Sequence, residues 1–139
     1  MGLILDSSIV IAAERLGQTA YQMLEAIRLK TDDAEIAISV VTVLELAHGI
    51  TRADTAQRRA MRQKFLNDLL AGMPVHPVTI AIALRAGQTD GHMQAAGKRI
   101  ALADLLIGST ALELGYSVAT ANLRHFAMIP QLTIEQLSK

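Results

Sequence analysis

The sequence predicts an α/β fold in which helices cover both faces of a central parallel sheet, giving three layers of α/β/α. Short apolar segments of strand length alternate along the chain with segments in which apolar residues have helical spacing. This alternation is typical of parallel sheets that are buried on both faces. The length of 139 residues, with no internal repeat or linker, predicts a single domain over residues 1–139.

Strands and helices alternate through the first half of the chain. The predicted elements are a strand at 2–5, a helix after the polar residues 6–8, a helix at 18–30, a strand at 36–38 and a helix from 54 to about 70. Asp54 is the predicted N-cap of the last helix, and Gly72 and Pro74 end it. Segment 40–43 is ambiguous because its residues are β-branched, whereas 44–50 has helical spacing.

The second half continues the same pattern. The predicted elements are a short strand at 75–78, helices at 79–86 and 104–114, a strand at 117–120, a loop at 121–126 and a last strand at 132–134. Pro77 interrupts the first of these strands, and Gly115 closes the second helix.

The composition limits the class of protein. Apolar residues make up 51% of the chain, which predicts a compact aliphatic core. No apolar stretch reaches the roughly 18 residues of a membrane-spanning helix. The apolar N-terminus has no leading Lys or Arg and contains Asp6, so no signal peptide is predicted. Without cysteine there are neither disulfides nor thiolate metal sites, which agrees with a cytoplasmic protein.

The charge is balanced overall but uneven along the chain. The 13 Lys and Arg residues equal the 13 Asp and Glu residues in number. This balance argues against a pure nucleic-acid-binding module, since such modules are usually basic. One segment, 52–64, carries five basic residues and a single acid, Asp54. It is most simply the solvated face of a helix, and a patch that faces phosphates or a partner is the alternative.

Three long apolar segments each contain one charged residue, and in each case it is a carboxylate. These residues are Asp6 in segment 2–13, Glu45 in segment 36–50 and Asp104 in segment 100–112. Segments this apolar should be buried, and an unpaired buried carboxylate is strongly destabilising. None of the segments contains Lys or Arg, so a cation bound by all three carboxylates is the favoured explanation.

The predicted topology allows the three carboxylates to meet. In open α/β sheets, ligands bind at the carboxyl ends of the strands, where the strand order reverses. Asp6 directly follows a strand, and Glu45 and Asp104 lie in or near the first turns of helices that could begin at the same edge. Oxygen ligands select hard cations such as Mg²⁺ or Mn²⁺, and these ions suit phosphodiester hydrolysis.

Each carboxylate also has a purely structural interpretation. Asp6 and Asp104 could be helix N-caps, and Glu45 could close a capping box with Thr42. For each residue taken alone, a capping role explains the sequence as well as a metal-binding role does. Together the capping roles leave unexplained why each segment has one acid and no base, so the metal site is preferred.

Four segments carry a family resemblance. They are ILDSSIVIAA (4–13), ISVVTVLELAHG (38–49), GKRIALADLLIGSTALELG (97–115) and VATANLRHFAMIPQL (118–132). In order and spacing they resemble the PIN-domain nucleases, and in particular the VapC-type toxins of bacterial toxin–antitoxin pairs. The resemblance covers nearly the whole chain.

The resemblance implies both a fold and an activity. The fold is a PIN-like parallel α/β/α sandwich that forms a homodimer. The activity is Mg²⁺- or Mn²⁺-dependent cleavage of RNA, which a small antitoxin protein inhibits. Asp6, Glu45 and Asp104 fall on the acidic positions of the family, so the resemblance implies that they are the catalytic metal ligands.

The chain departs from the family pattern in the fourth segment. Many members carry a further acid where Asn122 or His125 stands here. Asn122 could orient a metal-bound water or bind through its amide oxygen, and His125 could bind a phosphate; alternatively, Asn122 only shapes the turn and His125 only packs beside Phe126. The hydroxyls of Ser7 and Thr120 are candidates for orienting the carboxylates.

Two other functions compete with the nuclease. The missing acid favours a catalytically inactive PIN-like subunit that only binds a partner or RNA, whereas the three remaining acids oppose it. A phosphoaspartate enzyme or receiver domain would need a second acid close to Asp6, but Ser7 and Ser8 follow it. The metal-dependent ribonuclease is therefore the preferred function.

Overall fold

The computed structural model describes residues 2–32 and 34–137. The strands and helices in these residues are β1 (Gly2–Leu5), α1 (Ser7–Arg15), α2 (Ala20–Lys30), β2 (Glu35–Ser39), α3 (Val40–Thr51), α4 (Ala56–Gly72), β3 (Val75–His76), α5 (Ile80–Ala95), α6 (Leu102–Leu114), β4 (Ser117–Ala119), α7 (Leu123–Ala127) and β5 (Ile134–Glu135). None of these helices is both long and apolar enough to cross a membrane.

The strands form one parallel sheet in the order β3-β2-β1-β4-β5. β1 lies at the centre, where Ile4 is in register with Ala37 of β2 and Val118 of β4. All four residues of β1 are buried, as is typical of a strand with both faces covered. The chain builds outward from β1 through β2 to β3 and then returns to add β4 and β5 on the other side. The strand order therefore reverses beside β1.

Helices cover both faces of the sheet, which confirms the predicted α/β/α layers. Alternate residues of β1 point to opposite faces. Leu3 and Leu5 pack in a core with the buried residues of α1, α2 and α4. Ile4 packs in a second core with Ile107 of α6 and Phe126 of α7. The central strand β1 thus lies between two apolar cores, one on each face of the sheet.

The ambiguous segment 40–43 is helical and forms the start of α3. Ser39 caps this helix, because its hydroxyl accepts a hydrogen bond from the Val41 amide at 3.0 Å. Thr42 is fully buried, and its hydroxyl reaches the carbonyl of Leu5 at 3.5 Å. Packing against the sheet therefore outweighs the strand preference of β-branched residues in this segment.

The structure corrects the predicted start of α4. Thr55, one residue later than the predicted Asp54, is the N-cap, and its hydroxyl accepts from the Arg58 amide at 3.0 Å. The Asp54 carboxylate instead lies 3.8 Å from the Arg58 guanidinium. Arg58 in the first turn of α4 thus places a positive charge near Asp54, and the Thr55 hydroxyl caps the helix.

Two larger differences between the predicted and the observed elements lie in the second half of the chain. α5 continues past the predicted end at residue 86 to Ala95, so Gly87 and Gly91 are helical and do not end it. The predicted loop 121–126 contains the short helix α7, whose Phe126 is fully buried in the second core. A helix this short depends on packing rather than on its own propensity, so local sequence gives little sign of it.

The carboxyl ends of the central strands meet at one edge of the sheet. Asp6 follows β1, Ser39 ends β2 and Thr120 follows β4. All three residues are buried, with exposed fractions of 4% or less. Helices α1 and α3 begin directly after Asp6 and Ser39. The fold therefore brings polar side chains together at the place where the strand order reverses.

Candidate active site

Asp6 is the centre of a buried hydrogen-bond network. Its side chain is 2% exposed, and Oδ2 accepts from the Ser8 hydroxyl at 2.7 Å and from the Thr120 hydroxyl at 2.8 Å. The backbone amide of Asp6 donates to the Ala119 carbonyl at 2.9 Å, which ties the end of β1 to β4. Asp6 occupies the N-cap position of α1, but its carboxylate makes no capping hydrogen bond. The Asp6 carboxylate therefore points into this network and does not cap α1.

The two hydroxyls that hold Asp6 are themselves oriented by backbone amides. The Ala121 amide donates to Ser8 Oγ and the Asn122 amide donates to Thr120 Oγ1, each at 2.9 Å. Each hydroxyl thus accepts from a backbone amide and donates to Asp6, and the two hydroxyl oxygens lie 3.3 Å apart. Thr120 was a candidate from the sequence, whereas Ser8 was not. Ser8 has a modest signal in the sequence, since it is a hydroxyl residue in the first helical turn after a buried Asp.

Glu45 lies inside α3, and its carboxylate has an unsatisfied buried oxygen. Oε1 has no hydrogen-bond partner among the described residues. Burial raises the pKa of Glu45, a hydrogen bond from Ser7 lowers it, and the charges of Asp6 and Asp104 raise it further. Since α3 begins at Val40 under the Ser39 cap, Glu45 is too far from the helix start to close a capping box.

Asp104 lies in the first turn of α6 and is also largely buried. The N-cap of α6 is Ala101, so Asp104 is inside the helix and is not a cap. The N-terminal end of a helix favours a negative charge at this position. Its Oδ2 is 3.3 Å from Nδ1 of His125. Burial raises the pKa of Asp104, the Asp6 charge raises it further, and the hydrogen bond and charge of His125 lower it.

The three acids are close enough to influence one another electrostatically. The charges of Asp6 and Asp104 both raise the pKa of Glu45, and the charge of Asp6 raises the pKa of Asp104. Among the ion pairs of the described residues, none joins Lys or Arg to any of the three. The described residues thus gather negative charge at this edge, where His125 lies beside Asp104.

The donor set fits a hard divalent cation. All three side chains offer carboxylate oxygens, which are the ligands that Mg²⁺ and Mn²⁺ prefer. The partnerless Oε1 of Glu45 is a buried acceptor of the kind that a cation satisfies. Across 2–32 and 34–137, no three His, Cys, Asp or Glu side chains lie close enough to form a ready-made metal cluster. The acids are therefore gathered at one edge without being closed into a coordination cage.

Asn122 and His125 lie on the loop and helix after β4. Asn122 is exposed at the N-cap position of α7, and only its backbone amide takes part in the network around Asp6. Among the hydrogen bonds of the described residues, none involves its side-chain amide. His125 is half-exposed and faces Asp104 through Nδ1. The structure therefore places His125 beside the acids and leaves the Asn122 side chain turned to solvent.

Comparisons with known proteins show the family and the fold of the chain. A family model described as PIN domain matches residues 3–131. Ribonuclease VapC10 of Mycobacterium tuberculosis is 37% identical over 130 residues, which cover 94% of this chain and 90% of the relative. Ribonuclease VapC of Rickettsia bellii is 27% identical over 136 residues, which cover 96% and 95%.

Two solved structures show the same fold. VapBC2 of Rickettsia felis, bound to a DNA fragment from its promoter, has a chain that matches with a TM-score of 0.84 and 23% identity over 98% of both chains. VapBC-5 of Mycobacterium tuberculosis, from the VapBC family of toxin–antitoxin systems, matches with a TM-score of 0.72 and 26% identity over 98% of both chains.

Proposed function

The chain belongs to the PIN-domain family, and we propose that it is a metal-dependent endoribonuclease that acts as the toxin of a toxin–antitoxin pair. Relatives of nearly the same length are named Ribonuclease VapC10 and Ribonuclease VapC, which supports hydrolysis of RNA. We propose that residues 1–139 form one domain. The proposed place of action is the cytoplasm.

One observation carries the metal dependence. Three mutually repelling carboxylates lie at one edge of the sheet, and one of their buried oxygens has no partner among the described residues. Such a cluster is costly unless a cation neutralises it. In the proposed site, Asp6, Glu45 and Asp104 would hold Mg²⁺ or Mn²⁺. A bound divalent ion polarises the phosphodiester and lowers the pKa of the attacking water.

The other residues of the site position these ligands and the substrate. Ser8 and Thr120 fix the Asp6 carboxylate, because both hydroxyl protons are directed at its Oδ2. Ser7 lies beside Glu45 and lowers the pKa of its carboxyl, and we propose that it helps to orient this carboxylate. His125 uses Nδ1 to face Asp104, and its exposed ring offers Nε2 to a phosphate oxygen of the RNA. We keep Asn122 as a catalytic candidate that reaches the site only after its side chain turns inward.

An antitoxin is the proposed protein partner. The VapBC-5 structure comes from a family of toxin–antitoxin systems, and its chain matches this one over nearly its full length. We expect an antitoxin to present a basic side chain, preferably Arg, to the acid cluster, by which we mean Asp6, Glu45 and Asp104. A guanidinium pairs with carboxylates through two parallel hydrogen bonds and would replace the charge of the cation.

A homodimer is the proposed assembly. The apolar residues Ile80 and Leu84 lie one turn apart on α5 and are 81% and 62% exposed. Gly87 continues the same stripe, and a side chain there would meet no other atom within 4 Å. An exposed apolar stripe of this kind supports close approach of a second copy of the helix.

The alternative is a catalytically inactive PIN-like subunit that only binds its partners. Two observations favour it: Asn122 and His125 stand where many family members carry an acid, and the described residues contain no ready-made cluster of three ligands. Such a subunit would keep the fold and the antitoxin contact but would not cleave RNA.

Cleavage of single-stranded RNA by the purified protein tests the proposal. We expect cleavage with Mn²⁺ or Mg²⁺ that a chelator abolishes and that falls to background in Asp6→Asn, Glu45→Gln and Asp104→Asn. The matched control is Asp68→Asn, since Asp68 is an exposed carboxylate that pairs with Lys64 on α4. If the triple variant cleaves as fast as the wild type, with contaminating nuclease excluded, the site assignment is wrong. Absence of metal-dependent cleavage by folded wild type favours the inactive subunit.

A further inference from the structure

A cavity of about 240 Å³ opens beside the acid cluster, between α1, α3 and α4. Its apolar walls include Val10 of α1, Leu46 of α3, and Phe65 and Leu66 of α4. Glu45 lines the same cavity. The volume is somewhat below the range of about 300–1,000 Å³ that is usual for drug-sized ligands, and it suits a single ring system.

The cavity is continuous with the candidate active site along one face of α3. Glu45, Gly49 and Arg52 follow one another at intervals of four and three residues, so they lie on the same side of the helix. All three line the cavity. Along this face, the Glu45 carboxylate comes first, the open part of the cavity at Gly49 comes next, and the Arg52 guanidinium comes last.

Arginine side chains form the rim of the cavity. Arg62 is fixed, because its Nη1 donates to the Gly49 carbonyl at 2.6 Å and its Nε lies 3.8 Å from Glu14. Arg15 and Arg52 are exposed and take part in no ion pair with the described residues. Two guanidinium groups are thus available at the mouth of this cavity. Exposed guanidinium groups bind phosphates and stack on planar rings.

We propose that this cavity receives a nucleobase of the RNA next to the cleaved bond, with Arg15 and Arg52 contacting the neighbouring phosphates. This inference rests on the proposed nuclease function and names the part of the site that selects the substrate. Single-stranded RNA is recognised by turning bases out of the stack into apolar slots and against arginine planes. Continuity with Glu45 and a cationic rim match a base joined to a polyanionic backbone better than a protein side chain.

Gly49 offers a way to fill the cavity without disturbing the fold. It lies inside α3, and a Cβ placed there would meet no atom within 4 Å. A leucine at this position would enter the open space, and a helix interior favours it over glycine. The matched control is Ala60→Leu, which adds a leucine at an exposed position of α4 outside the cavity lining.

The first measurement is binding of single-stranded RNA to the metal-free protein, which prevents cleavage. A series of oligonucleotides carries one abasic position that moves along the strand. For the wild type, we expect loss of one particular base to weaken binding by about tenfold. Gly49→Leu should bind the intact RNA about tenfold more weakly than the wild type and show no further loss with that abasic strand. Ala60→Leu should behave like the wild type.

The second measurement compares two substrates in the presence of Mn²⁺. Hydrolysis of bis(p-nitrophenyl) phosphate depends on the acid cluster alone, because this diester has no nucleobase. Cleavage of RNA depends on both the acid cluster and the cavity. We expect Gly49→Leu to lower RNA cleavage by about tenfold more than it lowers hydrolysis of the small diester. An equal loss on both substrates would show that the variant disturbs the acids, and it would overturn the proposal.

Two other outcomes also overturn the nucleobase assignment. One is RNA binding and cleavage by Gly49→Leu that match those of Ala60→Leu. The other is a Gly49→Leu protein that handles RNA normally but no longer binds its antitoxin, which would give the cavity to a protein side chain. If the wild type hydrolyses neither substrate, the proposed function fails, and the metal-free binding series still decides what occupies the cavity.

Discussion

The hydroxyl of Thr120 donates a hydrogen bond of 2.8 Å to Oδ2 of Asp6, across 114 positions of sequence. The same hydroxyl accepts from the Asn122 amide at 2.9 Å and lies 3.3 Å from Ser8 Oγ, so three partners surround it. The bond connects the end of β4 to the end of the central strand. The orientation of a proposed metal ligand therefore depends on a residue that does not itself bind the ion.

Thr120→Val should test this dependence, because valine has nearly the same shape but no hydroxyl. It leaves Asp6 with one hydroxyl donor and the Asn122 amide without its acceptor. We expect a loss of about 1–3 kcal/mol in the free energy of unfolding. RNA cleavage should fall about 10- to 100-fold. Urea denaturation and cleavage rates measure these effects, and Thr120→Ser should restore both. Equal activity of the valine and serine variants would contradict the positioning role.

The contribution of Glu45 and Asp104 to the stability of the metal-free protein should fall as the pH rises through the mildly acidic range. The pKa of Glu45 is raised from 4.5 and that of Asp104 from 3.8, so the folded protein binds these protons more tightly than the unfolded chain. Between the ordinary and the raised pKa, the folded state holds more protons, and stability therefore decreases with pH and stays lower above that range.

Glu45→Gln isolates the contribution of one carboxyl to this pH dependence. We expect the variant to gain stability relative to the wild type as the pH increases, because glutamine carries no charge to repel Asp6 and Asp104. Urea midpoints measured without metal between about pH 4 and pH 8 give the difference. If the gain in stability of the variant over the wild type stays constant or becomes smaller as the pH rises, burial and repulsion do not act on Glu45 as described.

Asn122→Asp should tighten binding of Mn²⁺ to the free protein. With three carboxylates, the site is expected to hold an ion weakly until phosphate oxygens of the RNA complete its coordination, so metal and RNA should promote each other's binding. Calorimetric titration of Mn²⁺ into wild type, Asn122→Asp and Asn122→Ala makes the comparison, with the alanine variant as the control for shape. If all three bind equally, Asn122 is out of reach of the ion, and His125→Asp is the next variant to test.

Leu84→Glu should convert the proposed dimer into a monomer. A charge in the exposed stripe of α5 would have to be buried against the second copy, which is unfavourable without a partner. Leu29→Glu is the matched control, since Leu29 is 84% exposed on α2, away from that stripe. Sedimentation at micromolar concentration distinguishes the two states. A monomeric wild type would contradict the proposed assembly.

The sequence predicted the sheet and its polar edge because few signals were needed. The apolar segment 2–5 followed by Asp6 indicates a buried strand that ends in a carboxylate, and parallel strands place such ends together. The single acids in the other apolar segments then directed attention to Glu45 and Asp104. The structure brings these three side chains within range of one another's charge.

The parts that the sequence missed depend on tertiary contacts. Segment 40–43 has the side chains of a strand, but Ser39 caps a helix there and Thr42 packs beneath β1. Gly87 resembles a helix breaker, yet packing of α5 on α6 continues the helix beyond it. Ser8 holds Asp6 only because the chain after β4 supplies an amide to its oxygen. Such residues acquire their partners across the fold, where local patterns carry no signal.

The register of Ile4 with Val118 sets the order in which a growing chain can become active. The ribosome makes the central strand β1 well before its neighbour β4, because Gly2–Leu5 precedes Ser117–Ala119 along the chain. A polypeptide interrupted before β4 would contain Asp6, Glu45 and Asp104 and still lack the strand that closes the sheet around them. Long-range pairing of this kind forms late in folding. For a chain with the proposed nuclease function, a translation product that ends before β4 should therefore cleave no RNA.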